Sequence, residues 1–204
     1  MSSLYTIQPG DSGQRKEVFR AMPRLAELGA PLRERAATAW VSAWLASTHD
    51  SLEDMPYSLQ APDYRLLDHT NEAADAGILL ADYAHERWEV RLDQDVLLAA
   101  LLLHDIDKAL LYTRIDGTVV ADPVRAGLPH GVLGAMLLKE AGLPDDIVTL
   151  VGTHATTSPV KTGDPEAWIL HYADLFACDH AFRLAPGTIP FFQRTSSFQR
   201  PSGT

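Results

Sequence analysis

The segment Val96-Leu-Leu-Ala-Ala-Leu-Leu-Leu103 is apolar throughout, and the ionisable pair His104-Asp105 follows it directly. A helix that is apolar on every side is typically buried in the centre of a protein. Asp93 stands just before this segment, where its carboxylate can cap the first turn of such a helix. The sequence therefore predicts a central, buried helix that ends in a histidine and an aspartate.

The Asp105 carboxylate needs a partner in this setting, because an isolated charge is costly in apolar surroundings. Asp174 raises the same difficulty, since it lies in the largely apolar segment Trp168–Cys178. A metal ion would compensate both carboxylates, and imidazole together with carboxylate suits Zn, Fe, Mn and similar ions. The pattern favours a metal site in which histidines supply the remaining ligands.

Three more histidines lie at the ends of predicted helices. His69 is near the start of one helix, His130 is at the start of a second, and His154 is at the end of a third. Helix ends that face one cleft can bring their side chains together without passing them through the core. We therefore treat these three histidines as candidate metal ligands beside the His104-Asp105 pair.

The remainder of the chain predicts an all-α protein with one small β-hairpin. The hairpin is expected over residues 111–121, where Asp116-Gly117 separates β-prone residues in the manner of a tight turn. A length of 204 residues suits a single domain with a sizeable core. We expect one helical domain over 15–185, a loose N-terminal arm over 1–14 and a C-terminal tail over 186–204.

The composition excludes several classes of protein. There are 17 Lys and Arg against 27 Asp and Glu, a net charge of −10, whereas binding a nucleic acid polymer requires clustered cations. One cysteine, Cys178, allows neither an intrachain disulfide nor a zinc site of paired cysteines. No apolar run approaches the ~20 residues of a membrane span, and no signal peptide is visible. We expect a cytoplasmic protein without membrane contact.

The order His69, His104-Asp105, Asp174 resembles the signature of the HD superfamily of metal-dependent phosphohydrolases. The string His104-Asp-Ile-Asp-Lys108 is similar to the common His-Asp-Ile-Gly-Lys of that family, with Asp107 in place of the glycine. The resemblance implies a single HD-type helical domain.

His130 and His154 resemble the additional histidines of the binuclear branch of this superfamily. The likeness extends over about residues 65–180 and implies a centre of two divalent ions, which could be Fe, Mn or Zn. The implied ligands are His69, His104, Asp105 and Asp174 for the first ion, and Asp105 as a bridge with His130 and His154 for the second.

The resemblance also implies the chemistry. Two divalent ions and two aspartates leave a net charge of about +2, which attracts a small anionic substrate and lowers the pKa of bound water. Lys108 resembles the family lysine that contacts substrate anions. Asp105 and Lys108 are therefore the candidate catalytic residues, and Lys108 and Arg125 the candidate substrate-binding residues. We expect a hydrolase for a small phosphate-containing molecule, and a homodimer is a possible assembly.

Several alternatives stay open. The myo-inositol oxygenase-like branch has the same order of ligands, and its mixed-valent diiron members cleave a C–C or C–P bond. His130 and His154 could be structural residues beside a mononuclear site, the six residues could be ordinary core histidines and ion-paired aspartates, and an HD domain can bind a ligand without catalysis. A cyclic-di-GMP phosphodiesterase of the HD-GYP type is disfavoured, because Thr153 precedes His154 and no Gly-Tyr-Pro motif follows.

Neighbours of the predicted ligands give weaker signals. Asp107 is expected to be exposed or to pair with a nearby cation. His171 lies one turn before Asp174 and could orient its carboxylate. Phe191 and Phe192 could cover the pocket or a second subunit, although packing on the domain itself is the simpler expectation.

Overall fold

The computed structural model describes residues 4–194, and over that range it confirms an all-helical protein with one small hairpin. The helices and strands are, in chain order, α1 (Ser12–Ala21), α2 (Ala30–Ala46), α3 (Leu66–Trp88), α4 (Gln94–Leu103), α5 (Lys108–Leu111), β1 (Tyr112–Ile115), β2 (Thr118–Ala121), α6 (Val132–Glu140), α7 (Asp145–Thr153), α8 (Pro165–Leu184) and α9 (Phe191–Arg194). Within the same range, no helix combines the length and the apolar character that crossing a membrane requires.

Helix α4 is the centre of the fold, as its apolar sequence predicts. Every residue from Leu97 to Leu103 is buried, and α3, α7 and α8 pack around the helix. Asp93 caps the first turn by accepting a hydrogen bond from the backbone N–H of Val96 at 3.1 Å. The buried Trp40 of α2 donates its Nε1–H to the carbonyl of Leu102 at 3.0 Å. The Asp93 cap thus fixes the start of α4, and the Trp40 hydrogen bond holds its C-terminal end.

The hairpin predicted over 111–121 is present. Strands β1 and β2 are antiparallel, and Tyr112 at the start of β1 pairs with Ala121 at the end of β2. Asp116 and Gly117 form the turn with positive φ angles of 49° and 78°. Two successive positive φ angles are what a type I′ turn requires, so the Asp-Gly pair provides the local reason for this hairpin.

Of the loose arm predicted over 1–14, the structure describes residues 4–14, and contacts of Leu4 and Tyr5 hold this segment against the domain. Tyr5 is buried, and its hydroxyl donates a hydrogen bond to Glu140 at 2.9 Å. The Arg125 guanidinium donates to the carbonyl of Leu4 at 2.8 Å. These contacts join residues that are far apart in sequence, so no local pattern could predict them. The boundaries proposed for the helical domain itself stay a prediction.

The structure describes residues 186–194 of the tail that the sequence predicts over 186–204. Helix α9 packs on α8, and the backbone N–H of Phe191 donates a hydrogen bond to the carboxylate of Asp179. Phe191 therefore packs on the domain itself, whereas Phe192 is exposed. The remainder of the predicted tail, 195–204, lies outside the described residues.

Helices α3 and α4 approach each other closely at Gly77. A Cβ atom added to Gly77 would lie 2.5 Å from Cδ1 and 2.6 Å from Cδ2 of Leu101. Leu101 is completely buried, and close-packed interiors leave such a side chain little room to move. The glycine is thus a requirement of the packing between the two helices.

We expect Gly77→Ala to lower the free energy of unfolding by about 1 kcal/mol, because overpacking costs roughly 1–3 kcal/mol and alanine regains roughly 1 kcal/mol of helix propensity. In a Leu101→Ala background the clash is absent, so the same substitution should stabilise the protein by about 1 kcal/mol. Urea unfolding of the four proteins measures this change of sign. An equal loss in both backgrounds would contradict the close approach.

Candidate metal centre

The predicted ligands lie at one place, where several helix ends converge on the middle of α8. They come from the first turn of α3, the end of α4, the start of α6, the end of α7 and the middle of α8, and are respectively His69, His104 with Asp105, His130, His154 and Asp174. The structure therefore brings together all six residues that the sequence singles out as metal ligands.

The first group of ligand atoms comes from His69, His104, Asp105 and Asp174, and these atoms lie within 4.8 Å of one another. The Nε2 atom of His69 is 3.1 Å from Nε2 of His104 and 3.0 Å from Oδ2 of Asp105. Oδ1 of Asp174 is 3.3 Å from Nε2 of His69. Four atoms of the kinds that transition metals prefer thus face one small space.

The second group consists of Asp105, His130 and His154, so Asp105 belongs to both groups. The other carboxylate oxygen of Asp105, Oδ1, is 3.0 Å from Nε2 of His130 and 3.5 Å from Nε2 of His154. These three ligand atoms also lie within 4.8 Å of one another. Asp105 therefore presents one oxygen to each group, which is the arrangement of a carboxylate that can bridge two ions.

The hydrogen bonds around the cluster fit a bound cation. Nδ1 of His104 lies 2.8 Å from the carbonyl of Leu101, and Nδ1 of His154 lies 2.7 Å from the carbonyl of Val151. A carbonyl can only accept, so Nδ1 of each ring carries a proton and Nε2 is the atom left to bind a metal ion. Nε2 of His154 is buried without a hydrogen bond among the described residues. Nitrogen atoms that face a buried carboxylate in this way suit a metal ion.

The carboxylates draw positive charge into the cluster. Burial alone raises the pKa of Asp105, but Lys108 and His104 outweigh burial and hold this pKa well below its usual range. Burial alone lowers the pKa of His104, but Asp105 and Asp174 outweigh it and raise the pKa to about 10. The site thus requires positive charge, and metal ions can supply it in place of protons on the imidazoles.

Lys108 lies one turn beyond Asp105 and is buried beside it. Its Nζ atom is 2.7 Å from Oδ2 of Asp105 and 3.8 Å from the centre of the Tyr57 ring. Burial alone lowers the pKa of Lys108, but the Asp105 charge outweighs it and holds this pKa above its usual range. The ammonium group therefore stays charged at the edge of the first ligand group, where it can attract an anion.

Arg125 is not part of the cluster, which argues against its predicted role in substrate binding. Its guanidinium donates to the carbonyls of Leu4 and Ala46 at 2.8 and 2.9 Å, and it pairs with Asp122 at 3.2 Å. These bonds hold the N-terminal segment against the end of α2. The sequence could not reveal this role, because Leu4 and Arg125 are 121 residues apart.

Asp107 contacts the cluster: it is not exposed, which was one of the two expectations for it, but it pairs with His130, in keeping with the other. The side chain is completely buried. Its Oδ1 atom lies 3.0 Å from Nδ1 of His130, and its Oδ2 atom accepts a hydrogen bond from the backbone N–H of Gly131 at 2.6 Å. Burial alone lowers the pKa of His130, but Asp107 and Asp105 outweigh it and raise this pKa to about 9. The sequence does carry a signal for this contact, because Asp107 stands where the HD pattern has a glycine.

Asp174 is held by Cys178, and not by His171, which the sequence suggested for this role. The Cys178 thiol donates a hydrogen bond to Oδ1 of Asp174 at 3.3 Å, and the Tyr57 hydroxyl contacts the same sulfur. Burial raises the pKa of the Cys178 thiol, which keeps it a neutral donor. A spacing of four residues on α8 places Cys178 and Asp174 on one face, so this contact was open to prediction.

The cluster is most exposed to solvent at His130. Its side chain is 29% exposed, whereas that of Asp174 is 10% exposed and those of the other four ligands at most 1%. A small molecule would therefore approach the cluster past the second ligand group.

Comparisons with known proteins agree with this geometry. The HD domain family matches residues 66–179, a range that contains all six candidate ligands. A dihydroneopterin 2',3'-cyclic phosphate phosphodiesterase from Methanocaldococcus jannaschii is 28% identical over 134 residues, which cover 64% of this chain and 54% of that protein. A tRNA (cytidine(56)-2'-O)-methyltransferase from Thermoplasma volcanium is 26% identical over 146 residues, which cover 64% of this chain and 37% of that protein.

The match thus spans about half the length of the first relative and little more than a third of the second. No solved structure matches the chain significantly. The family match extends over more than half of the 204 residues and includes the whole ligand cluster, and the chain therefore belongs to the HD domain family.

Proposed function

We propose that the chain is a metal-dependent phosphohydrolase whose centre holds two divalent ions bridged by Asp105. The observation that carries this proposal is that one buried carboxylate belongs to two groups of ligand atoms. Membership of the HD family and a relative named as a phosphodiesterase support the hydrolysis of a phosphate ester. Fe, Mn and Zn are the candidate ions, because imidazole and carboxylate ligands suit each of them.

Two divalent ions in this centre would supply a water nucleophile near neutral pH and polarise a phosphoryl oxygen. The task of the protein is to hold the ligands in fixed orientations, which the carbonyls of Leu101 and Val151 do for two of the imidazoles. Lys108 places an ammonium group beside Asp105. There it can stabilise negative charge that develops on the phosphoryl oxygens as the ester bond breaks.

The proposed substrate is a small phosphodiester, with a 2',3'-cyclic phosphate as the first candidate. The relative from Methanocaldococcus jannaschii acts, by its name, on such a group. The net charge of −10 opposes a long polyanion, while a local metal centre can still attract a small anion. Access past the partly exposed His130 is consistent with a small molecule.

Hydrolysis is preferred to the diiron oxygenase alternative. Both reactions could use the same six ligands, so the geometry of the cluster does not separate them. The named activity of the phosphodiesterase relative favours the transfer of a phosphoryl group to water. Hydrolysis breaks one P–O ester bond, forms one P–O bond to the oxygen of water, and moves the water protons to the leaving oxygen and the solvent. It requires no oxidant.

The metal content of the purified protein tests the dinuclear centre. Purified protein should contain about two equivalents of Fe, Mn or Zn, as metal analysis by plasma mass spectrometry would measure. Asp105→Ala should lose both ions because it removes the shared ligand. His154→Ala should keep about one, because the first group stays complete. His180→Ala is the matched control: this exposed histidine pairs with Glu72 and lies outside the cluster. One equivalent in the wild type would contradict the dinuclear centre.

The products of the reaction distinguish hydrolysis from oxygenation. Metal-loaded protein should convert a 2',3'-cyclic nucleotide into a phosphomonoester, and a chelator should abolish this activity because the nucleophile depends on the metal. Product formation can be followed by chromatography while an oxygen electrode monitors the same sample. Oxygen consumption by iron-loaded protein, without hydrolysis of the cyclic nucleotide or of bis(p-nitrophenyl) phosphate, would instead favour the oxygenase.

The charge of Lys108 should contribute to the rate of the reaction. Lys108→Met keeps an unbranched side chain one atom shorter than lysine and removes its charge, so kcat/KM should fall by about 10²–10³, the usual effect of removing one group that stabilises the transition state. Metal content should stay that of the wild type, since Lys108 is not a ligand. Lys139→Met is the control, because Lys139 is an exposed lysine that pairs with Asp145. Unchanged kinetics in Lys108→Met would remove Lys108 from the mechanism.

A further inference from the structure

The histidine ligands differ in what their own helices can offer them. His104 and His154 follow the C-terminal ends of α4 and α7, where the last carbonyls have no partner within the helix. Those carbonyls, of Leu101 and Val151, lie within hydrogen-bond distance of the two Nδ1 atoms. His130 precedes α6, and the start of a helix leaves N–H groups free instead. Its own helix therefore provides no acceptor for Nδ1.

Asp107 supplies the missing acceptor. Its Oδ1 atom lies 3.0 Å from Nδ1 of His130, and the side chain is completely buried. Its Oδ2 atom accepts a hydrogen bond from the backbone N–H of Gly131 at 2.6 Å. Both oxygens are thus engaged at the start of α6, so the carboxylate is held in one orientation and fixes the imidazole ring next to it.

The backbone at Gly131 completes this arrangement. Gly131 has a positive φ angle of 87°, a conformation that residues with a side chain rarely adopt. A Cβ atom at this position would lie 3.0 Å from the carbonyl oxygen of Val151. Glycine therefore lets the chain turn tightly between His130 and α6 and direct its N–H group at Asp107.

We propose that Asp107 is a positioning residue for the second metal ion, holding the proton of His130 on Nδ1 and its Nε2 atom toward Oδ1 of Asp105. The inference rests on the proposed dinuclear function and deepens it. It assigns a role to the position at which this chain departs from the His-Asp-Ile-Gly-Lys pattern. A glycine there has no side chain that could accept a hydrogen bond from His130.

Asp107→Asn tests this role because the amide has the shape of the carboxylate but a different pattern of hydrogen bonding. The amide oxygen can accept from the Gly131 N–H, and the amide nitrogen then donates to His130 Nδ1. That bond drives the imidazole proton to Nε2 and removes the lone pair that would bind a metal. Asp107→Gly, which restores the common residue of the pattern, removes the acceptor altogether. Asp93→Asn is the control, because asparagine also caps a helix well.

The measurement is a titration of metal-free protein with Zn²⁺ by calorimetry. Wild type and Asp93→Asn should bind two equivalents. In Asp107→Asn and Asp107→Gly the affinity of the second equivalent should fall by about 10–100-fold, with that of the first almost unchanged. At a Zn²⁺ concentration that fills both sites of the wild type but leaves the second site of Asp107→Asn empty, the ¹⁵N NMR shifts of His130 should report a proton on Nδ1 in the wild type and on Nε2 in the variant. A merely structural role would not produce this effect.

The outcomes separate the two proposals. Wild-type protein that binds a single Zn²⁺ contradicts the dinuclear centre, and the role of Asp107 falls with it. Two tight equivalents in both wild type and Asp107→Asn overturn the role of Asp107 alone. An equal loss of both equivalents in the Asp107 variants would show a structural residue that acts on the whole cluster, and also overturns the inference.

Discussion

The arrangement of this site depends on one buried carboxylate, that of Asp105. Its two oxygens face two different groups of imidazole nitrogens. Both groups of candidate ligands therefore depend on the position of this one side chain. The buried helix α4 ends at Leu103, two residues before Asp105, and so places that carboxylate in the interior. The cost of burying the charge is compensated within the cluster by the positive charges of Lys108 and His104.

The direction of each helix determines how its ligand is supported. At C-terminal ends the free carbonyls of the last turn hold an imidazole through Nδ1, as at His104 and His154. At the start of a helix that support is absent. His69, in the first turn of α3, has no hydrogen bond at Nδ1 within the described residues, and its ring packs on Tyr57 at 4.1 Å. His130, before α6, contacts a carboxylate instead.

The features that the sequence could predict are those with a local cause. An apolar run implies a buried helix, Asp93 implies a cap, and Asp116-Gly117 implies a hairpin turn, and the structure confirms all three. The positions of the ligands follow from their chemistry and from the HD pattern. The role of Arg125 and the contact of Asp107 with His130 depend on distances between segments 121 and 23 residues apart. No local pattern records such distances, so the sequence could not name the partners of these two side chains.

A shared carboxylate makes the two groups of ligands unequal. The first group has four ligand atoms from buried residues, whereas the second has two imidazoles in addition to Asp105. In the proposed centre, an ion in the first group would draw charge from Asp105 and repel a second cation, so the second ion would be the more weakly held of the two. Its affinity would then depend most on the basicity and orientation of its imidazoles, and a carboxylate behind an imidazole raises both. The role proposed for Asp107 lies at the second group, where such support would change metal occupancy most.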